Sequence, residues 1–227
     1  PVIWVTAPRK NPLPGPPAPP PPTDPFARWT DQDYRLRSAD AAMRATFYGA
    51  EAVPNFDPQL GPGSLAIHLG SRPVFMPDTI WYKPCFNDLT TAPDLVYRAD
   101  EQWWVWTLEL VRKAREMGEG KFTMAFPDLI ENLDTLASLR GSLELLTDLV
   151  DAPNTVHRYQ GQILELYMRY YDELATLMGI PTWGSIFVSF PGWGPGRTCK
   201  LQCDMSAMIS PDMFREFVQP YLAQQCR

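Results

Sequence analysis

The sequence predicts an α/β protein with a mainly parallel sheet, and three observations lead there. Short runs rich in β-branched and aromatic residues (VIWVTA at 2–7, KFTMAF at 121–126, SIFVSF at 185–190) are separated by stretches whose apolar residues recur at helical spacing. That alternation of strand and helix is the pattern of a parallel α/β sheet. The chain also has 227 residues and 45% hydrophobic content, enough to bury a core without disulfide or metal staples.

The elements follow in order. Residues 2–7 read as a short buried strand. Nine of the fifteen residues from Asn11 to Pro25 are proline, so this tract cannot join a sheet ladder or a helix interior and must be an extended loop. A stiff spacer, a PxxP ligand and a flap over the site are all open to it. Asp31 to Tyr48 reads as a helix closed by Gly49, and Ala52 to Asp57 as a second strand. Gly61, Pro62 and Gly63 turn the chain into a short helix through His68. Residues 73–82 are extended but carry Pro77, which suits an edge hairpin. Trp103, Trp106, Leu110, Ala114 and Met117 mark a helix ending at Gly118, and residues 121–126 a third strand. Val156, Ile163, Leu166, Tyr170, Leu174 and Leu177 mark a long amphipathic helix before the strand at 185–190. Leu201 to Leu222 then reads as a strand, a polar turn and a capped helix, with Ser210 as N-cap and Pro211 at the first helical position.

Charge and composition exclude several functions. A formal net charge of −6 and a pI near 5.0, with no Lys/Arg run, argue against nucleic-acid binding. No apolar stretch of about 18 residues is present to span a membrane, and no basic-then-apolar leader is visible, so a cytoplasmic location is expected. Cys85, Cys199, Cys203 and Cys226 are too few and too scattered for a disulfide scaffold. Cys199 and Cys203 suit buried apolar positions better than a zinc site, and His68 and His157 suit satisfied helix positions. No metal site is assigned. Of the eight tryptophans, Trp103, Trp104 and Trp106 cannot all face the core, so one is expected against an inserted loop or a subunit partner.

The candidate chemistry lies where strands end, because the carboxyl edge of a parallel sheet is where α/β proteins build their sites. Arg9 and Lys10 follow the first strand, Asn55 and Asp57 end the second, and Asp128 and Glu131 follow the third. Trp193 and Arg197 follow the fourth, and Asp204 ends the fifth. Asp57 and Asp204 are the catalytic candidates; Arg9, Lys10, Asn55, Asp128, Trp193 and Arg197 are the substrate-binding ones. Each also has a plainer reading. Asp57 before Pro58 and Asp128 before Leu129 suit turns, Asp204 suits a cap, and the arginines suit the surface.

Two blocks carry a family resemblance. The helix Ser210, Pro211, Phe214, Phe217, Pro220, Tyr221 resembles the "S/G-P-x-x-F-x-x-F-x-x-P-Y" helix of the uroporphyrinogen decarboxylase superfamily, and residues 134–156 resemble its segment between the third strand and a long helix. Pro220 adds weight because proline is disfavoured inside a helix. The resemblance implies a TIM (β/α)8 barrel spanning 1–227 as a single domain. With about five or six strand–helix units instead of eight, the barrel is expected to be incomplete at its C-terminal end.

The resemblance also implies function. The first expectation is a cofactor-free decarboxylase acting on a tetrapyrrole or related polycarboxylate, with Arg9 and Lys10 holding carboxylates, Asp57 near the central aspartate, and Asp204 at a substrate-contacting position. The opening VIWVTAPRK matches that branch only in its apolar part. The alternative is a methyltransferase moving a methyl group between a corrinoid and a thiol, whose zinc ligands would lie beyond Arg227. A third reading is a non-catalytic tetrapyrrole- or sugar-binding barrel using Trp183 and Trp193. A small molecule is the expected partner, and a homodimer is compatible with each reading.

Overall fold

The computed structural model describes residues 3–130, 132–187 and 192–226. The chain runs β1 (Trp4–Pro8), α1 (Pro25–Thr30), α2 (Gln32–Ala45), β2 (Thr46–Ala50), β3 (Asn55–Phe56), α3 (Leu65–His68), β4 (Arg72–Phe75), β5 (Ile80–Lys83) and α4 (Gln102–Gly118). It continues through β6 (Thr123–Phe126), α5 (Asn132–Arg140), α6 (Ser142–Asp151), α7 (Pro153–Met178), α8 (Ile180–Trp183), β7 (Ser185–Phe187) and β8 (Trp193–Gly194). A 3-10 turn (Asp204–Met208), α9 (Pro211–Phe217) and α10 (Gln219–Gln225) complete it.

The central sheet has the order β3-β6-β7-β8. β3, β6 and β7 are parallel, with Phe56 opposite Met124 and Phe126 opposite Phe187, and β8 closes the edge antiparallel. A mixed α/β architecture therefore holds, but no closed barrel is present among the described residues. Closure would need every strand paired on both sides, and two expected barrel strands go elsewhere. β1 pairs antiparallel with β2 in a separate ribbon whose β1 side is mostly exposed. Residues 201–203 form no strand.

The ribbon exists because the helix expected to reach Tyr48 stops at Ala45. Thr46, Phe47 and Tyr48 prefer extended backbone, and Thr46 already adopts φ −103°, ψ 132°. Gly49 then pairs with Val5 instead of closing the helix. Residues 72–83 form the expected hairpin, β4 against β5. The final helix, expected to be continuous, breaks at Val218, because Pro220 has no amide to give and its ring crowds the preceding turn. Residues 188–190 of the predicted fourth strand, and Glu131, lie outside the described residues.

α7 organises the core. One face of its 26 residues buries Val156, Tyr159, Ile163, Tyr170 and Leu174 completely, against α4, α5, α6 and the sheet. Burial of each such side chain contributes about 1.5–3 kcal/mol before entropy is counted. Gly141 joins α5 to α6 at φ 103°, which side chains rarely tolerate. The tryptophans of α4 divide as expected. Trp104 is fully buried, whereas Trp103 packs on Phe26 and Phe75, and the Trp106 indole N–H donates to the Thr30 carbonyl (3.0 Å).

Candidate functional site

β3 and β6 are hydrogen-bonded parallel neighbours, so the residues just after them share one edge of the sheet. Asp57 follows Phe56 directly, and Asp128 follows Phe126 after Pro127. The two carboxylates are close enough for the charge of Asp128 to be felt at Asp57. Burial, and after it Asp128, push the Asp57 carboxyl up to about 6, against the opposing pull of the Arg35 guanidinium and the Gln59 amide. That amide donates to Asp57 Oδ1 at 2.9 Å, which is the expected turn before Pro58.

Two cations complete the cluster. Arg35, from α2, donates through Nη2 to the Asp57 carbonyl (2.9 Å) and lies over the Trp106 ring. Burial pulls its pKa down to about 10, with Asp57 opposing. Lys200 Nζ sits 2.7 Å from Asp128 Oδ2, and the same ammonium lies 5.4 Å from the centre of the Phe187 ring at the end of β7. Lys200 therefore ties the ends of β6 and β7 together.

The backbone around this pair is held from several sides. The Asp128 carbonyl accepts the amides of Gly63 (2.9 Å) and Ser64 (3.0 Å), from the loop after β3. Tyr82, from β5, donates its hydroxyl to the Leu60 carbonyl (2.9 Å), and burial together with the Asp128 charge raises its phenol far above the ordinary range. Ile130 and Asn132 both adopt positive φ, 50° and 55°. For a β-branched residue such as Ile130 this is a costly conformation, and strain of this kind persists only where the surroundings fix it.

The remaining sequence candidates are placed apart from this cluster. Arg9 Nε donates to the Thr46 carbonyl (2.8 Å) on the ribbon, and Lys10 lies exposed in the bend that follows. Asn55 Nδ2 bonds the Val53 carbonyl (3.1 Å). Trp193 is half-exposed on β8, its ring against Gly184, where φ is 75° and an added Cβ would meet that ring and the Gly194 carbonyl. Arg197 pairs with Asp172 at the surface (2.6 Å). Asp204 begins the 3-10 turn with its carboxylate exposed, and its amide donates to Asp134 Oδ2 (2.7 Å).

Both imidazoles are satisfied. Fully buried His68 meets Glu101 Oε2 (3.2 Å) and stacks on Tyr170, while His157 meets the Tyr221 hydroxyl (2.9 Å) and stacks on Phe217. Among the described residues no group of three or more His, Cys, Asp or Glu side chains could hold a metal ion. No described helix is long and apolar enough to cross a membrane. A cavity of about 900 Å³ opens at the opposite edge of the sheet, where strands begin, lined by Val53, Phe122, Met124, Leu177 and Ile180 with Arg112. It lies away from the strand-end carboxylates.

Sequence reasoning missed Lys200 and Arg35. Arg35 is one of several arginines on a helix, and nothing in the spacing singles it out. Lys200 could have been noticed as the one cation between two half-buried cysteines, Cys199 and Cys203. The assembled group offers a carboxyl that changes protonation near neutrality beside one paired to a buried ammonium. Two carboxyls in differing environments are the arrangement that separates acid from base roles.

No family model and no curated protein sequence matches the chain. Among solved structures, its fold is similar to that of a methyltransferase from Methanosarcina mazei, with a TM-score of 0.61 and 13% identity, over 88% of this chain and 55% of that one. The chain thus spans about half the length of the structure it matches. At that identity the likeness is one of fold: the α/β arrangement that carries Asp57 and Asp128 on adjacent strand ends is similar to one found in a methyltransferase.

Proposed function

We propose that the chain belongs to an enzyme that transfers a methyl group from a corrinoid to a thiol, with Asp57, Asp128, Lys200 and Arg35 around the acceptor. The observation that supports this reading most is the fold likeness to a methyltransferase, in a chain whose strand ends bring the carboxylates of Asp57 and Asp128 together. Arg9, the arginine a decarboxylase would use to hold substrate carboxylates, is bonded to the Thr46 carbonyl on the outlying ribbon, which favours methyl transfer over decarboxylation.

In this reading the thiol gives up its proton as its sulfur takes the methyl group, and the electron pair of the broken carbon–cobalt bond would stay with the corrinoid. Asp57, ionised above about pH 6, accepts that proton. Lys200 and Arg35 keep the local charge balanced, so the thiolate can form without facing two uncompensated carboxylates. Fold alone does not settle chemistry, so the test is direct.

The full-length protein is incubated with methylcobalamin and a small thiol, and in parallel with uroporphyrinogen. The expected result is thiol-dependent loss of methylcobalamin, reduced about a hundredfold in kcat/KM by Asp57→Asn. Decarboxylation of uroporphyrinogen without any thiol methylation would overturn the proposal.

A further inference from the structure

The chain from Cys199 to Met205 reaches the ends of β6 and β7 without forming a strand of its own, yet it delivers the buried Lys200 ammonium to Asp128. A segment with no ladder hydrogen bonds needs other partners for its backbone groups, and side chains supply several of them here. Two residues of the first turn of α5 reach across to it. Asn132, 3% exposed, donates through Nδ2 to the Gln202 carbonyl (2.9 Å), two residues from Lys200. Asp134 accepts the amides of Asp204 (2.7 Å) and Met205 (2.9 Å), and so caps the 3-10 turn that ends the segment. Cys203, the residue in cap position, makes no side-chain cap of its own.

We infer that Asn132 and Asp134 are positioning residues that clasp the 199–205 segment to the end of β6 and thereby hold Lys200 against Asp128. The inference rests on reading the strand-end cluster as the site. Three further features agree with it. Asn132 keeps φ at 55°, a conformation asparagine tolerates better than most residues. Ile130, at φ 50°, adds a second positive φ just after β6. Met205, whose amide the clasp holds, is buried at 3% exposure in the core, which anchors the far end of the segment.

The clasp sets the charge balance at the end of β6 indirectly. Lys200 is the cation that faces Asp128, while Arg35 faces Asp57. Asp134 and Asp204 stand on the clasp side, and both Asp204 and Lys200 act on Asp134 electrostatically. Loosening the segment would withdraw positive charge from one carboxylate of the pair and leave the other with its arginine.

Acetylation of lysines in the full-length protein, read by mass spectrometry, tests this without a known substrate. Lys10, Lys83, Lys113 and Lys121 are exposed, whereas the Lys200 side chain is 9% exposed, so Lys200 should be the slow one. Asn132→Gly, which keeps the backbone at ease, and Asp134→Ala should each raise Lys200 acetylation about tenfold or more while the other four lysines stay unchanged. Ser138→Ala, which removes a hydroxyl bonded to the Asp134 carbonyl on the same helix, should leave Lys200 slow.

Unchanged Lys200 reactivity in a folded variant, or an equal rise at all five lysines, would overturn the clasp. If neither variant folds, hydrogen exchange on the wild type decides: protected Asp204 and Met205 amides support the clasp, and freely exchanging ones refute it. Loss of methyl transfer without a change at Lys200 would count against the clasp and leave the proposed reaction standing. An intact clasp in a protein that transfers no methyl group would do the reverse.

Discussion

Lys200 and Asp128 form an ion pair 2.7 Å long with side chains only 9% and 4% exposed, joining a loop residue to the end of a parallel strand. Burying two charges is costly, and most of that cost returns as a penalty when one partner is removed. Lys200→Met should therefore lower stability by about 3–5 kcal/mol, read by urea denaturation. The double change Lys200→Met with Asp128→Leu should recover a large part of that loss. If the single change is silent, the pair is not buried as described.

Asp57 should make the protein more stable in mild acid than at neutrality, as far as this group is concerned. Its folded pKa, about 6, lies above the ordinary value of 3.8, so between these values the folded state binds more protons than the unfolded state. Stability then falls as pH rises through that window. Asp57→Asn should flatten the slope and gain about 1–3 kcal/mol at pH 8, with little change at pH 3. Denaturation of both proteins at the two pH values checks the sign.

Glu101 should act in the opposite sense. Burial raises its carboxyl pKa, but the hydrogen bond from His68 and the amides of Trp103 and Trp104 outweigh that and leave it below its ordinary value of 4.5. Its contribution is fully present above that value and is lost as pH falls through the lowered one. Glu101→Ala removes the cap of α4 and the partner of His68 together, so a loss of about 2–4 kcal/mol at pH 7 is expected, shrinking toward pH 3. A Tm series across pH would show it.

The break between α9 and α10 offers another test. Pro220 leaves carbonyls in the preceding turn without helical donors, and Gln160, itself fully buried on α7, gives Nε2 to the Phe217 carbonyl at 2.8 Å. Gln160→Leu should cost about 1–3 kcal/mol by leaving that carbonyl buried and unpaired. An unchanged unfolding midpoint would mean that another donor takes over.

Local pattern made much of this fold legible. The long α7, the hairpin of β4 and β5, and the strands β3 and β6 all follow from apolar spacing and turn residues near one another in the chain. Pairing was less legible. The apolar residues of β1 suggest burial in the main sheet, yet Ile3 and Val5 are exposed beside a ribbon partner some 40 residues away. Register between distant segments depends on where each helix stops, and the stop at Ala45 was set by extended preferences in Thr46, Phe47 and Tyr48 that outweighed the Gly49 signal. The site divided in the same way. Asp57 and Asp128 could be found because each follows its own strand, whereas Lys200 arrives from 72 residues further along than Asp128, through a segment with no periodicity to trace.

The proline tract between the ribbon and α1 has its own consequence. Leu13 and Pro16 are pinned by Arg44, and Asp24 caps α1, so both ends of the tract are tied down while Pro17, Ala18, Pro20 and Pro21 stand in solvent. Ends held so firmly would isolate the folded body from whatever replaces the middle. A reporter peptide or small domain spliced between Ala18 and Pro21 should leave the strand-end carboxylates undisturbed, which makes this stretch a practical attachment point for following the protein.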